Sequence, residues 1–273
     1  MRQRLFGSVV LASLIVCSSC GFFGPNSHKK NITIAGSTSI MPFTEKLAEH
    51  FMLEKPATPV DVQGGGSSAG IQATINRTVS IGMSSRELKG EEKKLNAIVI
   101  CHDAIAIVVN PKNPIANLTT EQVRDIYSGR ISNWKQLGWI DRNISAVTRE
   151  EGSGTRGAFE DLVMRKTLID DAVMVQDSNG AVREVVGNDP YAVGYISLGI
   201  VDSRVKTVSV DGISPSIQTV RNKSYGIVRP FLYLTLGNPS IQAQAFIDFV
   251  LSGQGQTILR KEGLVPVHGQ AAF

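Results

Sequence analysis

The sequence predicts an α/β fold around a mainly parallel sheet. Short β-rich runs alternate with stretches whose apolar residues recur at helical spacing. Clusters of Gly, Ser and Thr stand between several of these runs and the stretches that follow. Composition agrees: hydrophobic residues at 42% of 273 supply a large core, while aromatics reach only 6% and glycines number 26, which suits tight turns. Of the 28 Lys and Arg residues, Arg2 and Arg4 lie in a leader, so the remainder nearly balances the 24 Asp and Glu. No basic stripe stands out, and no nucleic-acid partner is expected.

The elements follow in order. Residues 32–35 read as a strand, and 42–53 as a helix with Phe43, Leu47, Ala48 and Phe51 on one face. Residues 60–63 read as a strand, 69–76 as a helix and 80–83 as another strand. The β-rich segments 98–101 and 104–109 lead into Asn110-Pro111-Lys112-Asn113-Pro114, whose prolines mark a turn or a boundary. A second series has a helix at 120–127 capped by Thr119, a strand at 144–148, helices at 154–165 and 179–186, and strands at 193–197 and 205–210. Arg229-Pro230 precedes a strand at 231–236, and helices at 242–251 and 254–261 finish the chain. Glu91-Glu92-Lys93-Lys94 reads as a solvated helix face.

At the start, Arg2 and Arg4 precede an apolar run over 5–16 and then Cys17-Ser18-Ser19-Cys20. A positive start, about a dozen apolar residues and small residues at the end describe a secretory signal over 1–19. The run falls short of the roughly 20 apolar residues that span a bilayer. Cys20 resembles the lipidated first residue of a bacterial lipoprotein, although such sites usually carry Leu where this chain has Cys17. Residues 20–30 then form the lipidated cysteine and a polar tether. With Cys17 removed and Cys20 lipidated, only Cys101 remains; it lies in an apolar stretch and is expected to be buried packing, without a disulfide.

Three clusters carry the chemistry: Gly36-Ser37-Thr38-Ser39, Gly64-Gly65-Gly66-Ser67-Ser68 and Gly152-Ser153-Gly154-Thr155. Each sits between a strand and a helix, where ligands bind in open α/β sheets. Helix N-termini present unpaired N–H donors and partial positive charge, both suited to an anion. One such loop is ordinarily a structural cap; three in one chain point to a shared anion site. Arg149 adds a full charge with a planar fork for two oxygens. Ser84-Ser85-Arg86 offers a fourth edge.

Enzyme readings are poorer. The glycine loops lack the Gly-Lys-Ser/Thr ending of a nucleotide P-loop, and no Gly-x-Gly-x-x-Gly with a downstream acid occurs. Ser153 lies in Glu-Gly-Ser-Gly-Thr, not in a hydrolase elbow. None of His28, His50, His102 and His268 is placed as a base for a serine nucleophile. No metal-ligand spacing and no cofactor motif is present.

These segments resemble the phosphate-binding proteins of bacterial phosphate ABC transporters, the PstS type, over nearly all of residues 31–268. The matching motifs are Ala35-Gly36-Ser37-Thr38-Ser39, residues 63–70, Ile81-Gly82-Met83-Ser84-Ser85-Arg86, residues 148–156, residues 192–198, Arg229-Pro230 and Gly263-Leu264-Val265-Pro266-Val267. The resemblance implies a two-lobed periplasmic-binding-protein fold, type II-like, with a ligand cleft and two interlobe crossings. The expected lobes are 31–109 with 226–273, and 110–225, with crossings at 110–114 and 224–230. Carried over, Thr38 and Ser67 donate hydroxyl and backbone N–H to phosphate, Arg149 supplies the charge, and Ser153, Gly154 and Thr155 supply a helix N-terminus. Ser37, Ser39, Ser85 and Arg86 complete the expected phosphate contacts. One departure stands out: well-studied members of the family carry an Asp that accepts the proton of hydrogen phosphate, whereas the corresponding place here is Ser85, and Ser84-Ser85-Arg86 resembles a second branch of the family. Asp103, which interrupts the apolar run over 98–109, is the best alternative carboxylate.

The expected function is extracytoplasmic capture of inorganic phosphate and delivery to the permease subunits of an ABC transporter. No reaction and no cofactor are expected; the protein is expected to be a monomer, secreted across the cytoplasmic membrane and lipid-anchored through Cys20, in the periplasm or at the cell surface. The rivals are another oxyanion such as sulfate, molybdate or tungstate, a phosphatase using Ser153 or Ser37, and an adhesin or signalling protein on the same fold.

Overall fold

The computed structural model describes residues 31–267. The expected signal, Cys20, the tether, His28 and His268 lie outside the described residues. The first half lays down β1 (Ile32–Gly36), α1 (Met41–Glu54), β2 (Val60–Gln63), α2 (Ser67–Ile75), β3 (Ile81–Ser84) and the long β4 (Asn96–Val109). There follow β5 (Asn117–Leu118), α3 (Thr120–Tyr127), β6 (Ser145–Arg149), α4 (Gly154–Phe159), β7 (Met174–Gln176), α5 (Asn179–Asn188), β8 (Ala192–Ser197) and β9 (Lys206–Val210). The chain closes with α6 (Ile217–Arg221), β10 (Val228–Thr235), α7 (Ile241–Leu251), α8 (Gly253–Lys261) and β11 (Val265–Pro266). The helical expectation from Gly154 holds in part: α4 passes at Glu160 into a π-helical stretch that ends at Met164.

One sheet path runs β2-β1-β3-β10-β4-β8-β6-β7. Its flanks are parallel, β1 with β2 and β3, and β6 with β7 and β8, as βαβ units require. Its centre is antiparallel, because β4 and β10 run in opposite directions as the two crossings between lobes.

Two principal cores flank this centre. In the first, α1 places Phe43, Leu47, Ala48 and Phe51 against Ile32, Ile34, Ile81 and the α7 residues Phe246 and Ile247. The second gathers Tyr127, Trp134, Phe159, Met164, Val193 and Tyr195. The change of core falls inside β4, between Cys101 of the first and Ala104 of the second, rather than at the 110–114 turn. On β10 it falls between Val228 and Phe231, within the expected 224–230 segment.

Asp103 therefore does not break β4 into two strands. It is the register partner of Arg229 on β10, and the two side chains form a buried ion pair of 3.0 Å at the point of crossing. With its charge paired there, the strand continues through the carboxylate.

Candidate oxyanion site between the lobes

The site assembles where the ends of β1, β3 and β6 meet the starts of α2 and α4. Gly36 ends β1 at φ +140°, and a Cβ there would lie 2.3 Å from the Met83 carbonyl oxygen. Only glycine lets β1 turn out against β3 so closely. The turn delivers Ser37, Thr38 and Ser39 ahead of α1. Across the cleft, Ser153 caps α4, accepting from the Arg156 N–H at 3.2 Å. The Ser68 N–H donates to the Gly152 carbonyl at 3.1 Å, so the lobes touch directly.

Hydroxyls crowd this junction. Ser37 Oγ donates to Ser85 Oγ at 2.8 Å, and Ser85 Oγ lies 3.4 Å from Ser67 Oγ. The Ser85 N–H donates to Ser67 Oγ at 3.1 Å. Ser39 Oγ and Thr155 Oγ1 share an interlobe hydrogen bond of 2.8 Å. Gly154 faces this cluster, because a Cβ there would stand 2.1 Å from Ser67 Oγ and 2.6 Å from Ser85 Oγ. Among the described residues, the N–H groups of Thr38, Ser67, Gly154 and Thr155 find no acceptor. Buried N–H groups are rarely left without a partner, so this convergence calls for an anion.

Arg149 supplies the charge. It ends β6 and is 1% exposed. Its backbone N–H approaches the Tyr195 hydroxyl at 3.4 Å, and that hydroxyl lies 2.6 Å from Thr148 Oγ1. Tyr195 stacks on Phe159 of α4 with ring centroids 4.0 Å apart, and burial pushes its phenol up to about 12. Arg149 Nε donates to Glu150 Oε2 at 3.0 Å and the Gln176 carbonyl at 3.2 Å. Its Nη2 donates to Glu150 Oε1 and the Asp177 carbonyl, both at 3.0 Å, and to Thr38 Oγ1 at 3.2 Å. Its Nη1 is buried without a partner among the described residues. A guanidinium with one arm clamped and one arm free is poised for an anionic oxygen.

Two of the expected contacts are turned elsewhere, which corrects their assignment. Arg86 gives Nη1 and Nη2 to Glu92 at 2.7 and 2.9 Å, with Ser68 Oγ 3.4 Å away. That hydrogen bond holds the Glu92 carboxyl below its ordinary range. Asp103 Oδ2 accepts from Arg229 Nε and Nη2 at 3.1 and 3.0 Å, and Oδ1 accepts from Ser197 Oγ at 2.8 Å. Both carboxylate oxygens are thus engaged within the fold. Burial raises Asp103, and Arg229 and Ser197 oppose the shift.

Sequence reasoning missed Asn179, Ser197 and Tyr195 as parts of the site's support. Asn179 opens α5 directly after β7, another strand-to-helix junction, but β7 is short and exposes Met174 and Val175, so no burial pattern announced it. Glu150 is half-buried against Arg149.

The profile of the PBP superfamily domain matches residues 24–254. The phosphate-binding protein PstS of Bacillus subtilis is 30% identical over 284 residues, covering 95% of this chain and 92% of that protein. This chain belongs to the PstS-type family. A solved phosphate ABC transporter substrate-binding protein of Clostridium perfringens, with bound phosphate, is 42% identical at a TM-score of 0.85; the match covers 87% of this chain and all of that one. An ABC-type phosphate transport receptor from Vibrio cholerae is 38% identical at a TM-score of 0.73, covering 86% of this chain and 99% of that one. The two-lobed α/β expectation holds in this family. The chain is a binding protein and not an enzyme, which removes the phosphatase reading.

Proposed function

We propose that this protein captures inorganic phosphate in the cleft between its lobes and delivers it to the permease of an ABC transporter. The observation that carries the reading is the buried, unpartnered Nη1 of Arg149 beside the free N–H groups of two facing helix starts. In this reading Thr38 and Ser67 donate from one lobe, and Arg149, Ser153, Gly154 and Thr155 from the other. Ser37 and Ser85 orient the hydroxyl chain, while Arg86 and Asp103 stay in supporting ion pairs. Closure is the work done: donors from both lobes reach the anion together only when the cleft is shut, so phosphate favours the closed state.

The lobes of this reading are 31–102 with 229–267, and 103–228, meeting at the Asp103–Arg229 pair. The protein works outside the cytoplasmic membrane, held by a lipid on Cys20, as a monomer. Among the described residues no helix is long and apolar enough to cross a membrane. Stable attachment needs more than one acyl chain, as bacterial lipoproteins carry.

Calorimetric titration of the purified protein with phosphate and with sulfate, alongside a phosphoester hydrolysis assay, tests the function. Phosphate binding without hydrolysis is expected; sulfate binding with none for phosphate overturns it. For the anchor, Cys20→Ser is expected to release the protein to the soluble fraction or block its processing. A correctly processed mutant that stays on the membrane overturns the lipid reading.

A further inference from the structure

Behind the donor wall lies a closed ring of buried hydrogen bonds that the phosphate reading does not use. Asp103 accepts from Ser197 Oγ at 2.8 Å and from Arg229 at 3.0 Å. The Ser197 N–H donates to Asn179 Oδ1 at 3.1 Å, Asn179 Nδ2 donates to Ser39 Oγ at 2.8 Å, and Arg229 Nη2 donates to Ser39 Oγ at 3.2 Å. Ser39, Asp103, Asn179, Ser197 and Arg229 are each at most 2% exposed.

The ring fixes the direction of every proton in it. A backbone N–H can only donate, so Ser197 sets the Asn179 amide with its oxygen inward and its nitrogen toward Ser39. A guanidinium can only donate as well. Ser39 Oγ thus receives two hydrogen bonds, which fill both of its lone pairs. Its own proton has one remaining partner among the described residues, Thr155 Oγ1 at 2.8 Å. Thr155 must accept from Ser39, and its own hydroxyl proton then has no acceptor among the described residues.

We propose that Asn179 is a positioning residue which, with Arg229, aims the Ser39 proton at Thr155 and so commits the Thr155 hydroxyl as a donor to the bound oxyanion. The proposal rests on the phosphate reading above and deepens it. Ser39 and Arg229 belong to one lobe, Asn179 and Thr155 to the other, so the committed donor exists only in the closed cleft.

Asn179→Asp reverses the relay while keeping the oxygen that Ser197 needs. The new carboxylate oxygen accepts from Ser39, the Ser39 proton leaves Thr155, and Thr155 turns lone pairs toward the anion. The test measures phosphate Kd by calorimetry for Asn179→Asp in three backgrounds: wild type, Thr155→Ser and Thr155→Val. The added negative charge weakens binding in all three and cancels in the comparison. The expected loss is about tenfold greater in the wild-type and Thr155→Ser backgrounds than in Thr155→Val, since a hydrogen bond to a charged group contributes about 1.5–3 kcal/mol. Equal factors in the three backgrounds overturn the relay. Should Asn179→Asp fail to fold, neutron diffraction of the phosphate-bound wild-type protein reads the protons directly: the Ser39 deuteron pointing at Thr155 and the Thr155 deuteron pointing at the anion are expected, and a Thr155 deuteron pointing at Ser39 overturns the relay. A wild-type chain that binds no phosphate overturns the phosphate reading and the relay together, whereas phosphate binding with equal factors overturns the relay alone.

Discussion

Arg149 Nη2 donates to Thr38 Oγ1 at 3.2 Å, so a buried cation rooted on β6 is hydrogen-bonded to the loop that follows β1. The contact crosses the cleft. Its energetic weight depends on the rest of the guanidinium, because Glu150 and two carbonyls hold Nε and Nη2 while Nη1 stays free. The side chain is therefore prepositioned before any anion arrives, and little rotamer freedom remains to be lost on binding.

Arg149→Ala is expected to weaken phosphate binding by about 2–5 kcal/mol, the usual loss when one partner of a desolvated charge contact is removed. Arg149→Lys is expected to recover only part, since a point-like ammonium lacks the planar fork that holds both Glu150 oxygens and keeps a separate arm for the anion. Calorimetry reads both; near-unchanged affinity in the alanine variant would remove Arg149 from the site.

Gly154→Ala tests the closeness of the lobes. Its new Cβ would sit 2.1 Å from Ser67 Oγ and 2.6 Å from Ser85 Oγ, both on the opposite lobe. Overpacking of this kind costs about 1–3 kcal/mol, and here the cost falls on the closed state. Phosphate affinity is expected to drop about tenfold while the ligand-free melting temperature changes little, and small-angle scattering should show a more open molecule with phosphate present. Wild-type affinity would mean that the lobes do not meet at Gly154.

Glu92 gives a pH dependence with a defined sign. The Arg86 hydrogen bond, opposed by partial burial, holds its folded-state carboxyl below the ordinary value of 4.5. A lowered folded value means stability that is present above 4.5 and lost as pH falls through the folded value. Glu92→Gln is thus expected to lower the melting temperature at pH 7, with the difference from wild type shrinking toward zero in strong acid. Melting curves across that range check it, and a difference that grows on acidification would contradict the assigned shift.

Much of this was legible before any coordinates. The three Gly/Ser/Thr clusters announced the anion site because each element there is local: a strand end, a turn and a helix start within a few residues. Phe43, Leu47, Ala48 and Phe51 announced the buried face of α1 for the same reason. Pairings across the sequence were not legible. Arg229 and Asp103 are far apart in the chain and meet only through antiparallel register, so in the sequence alone Asp103 reads as an interruption and the prolines of 110–114 read as a boundary. Arg86 read as a phosphate contact because nothing local tied it to Glu92, which looked like part of a solvated charge run.

The last prediction separates a binding carboxylate from a structural one. If Asp103 accepted the proton of hydrogen phosphate, Asp103→Asn would weaken phosphate and favour sulfate, which carries no proton at neutral pH. In the structure its oxygens accept from Arg229 and Ser197. The expected effect therefore lies in the fold. Removing one charge leaves the buried Arg229 guanidinium without its counter-ion, a loss of about 3–5 kcal/mol. For a chain of this size that lowers the melting temperature by roughly 10 °C. The phosphate-to-sulfate affinity ratio, measured by calorimetry below the melting transition, is expected to stay within about twofold of wild type, because any coupling passed through the Arg229–Ser39 network reaches both anions alike. A ratio that moves tenfold toward sulfate would return Asp103 to the binding site as the acceptor.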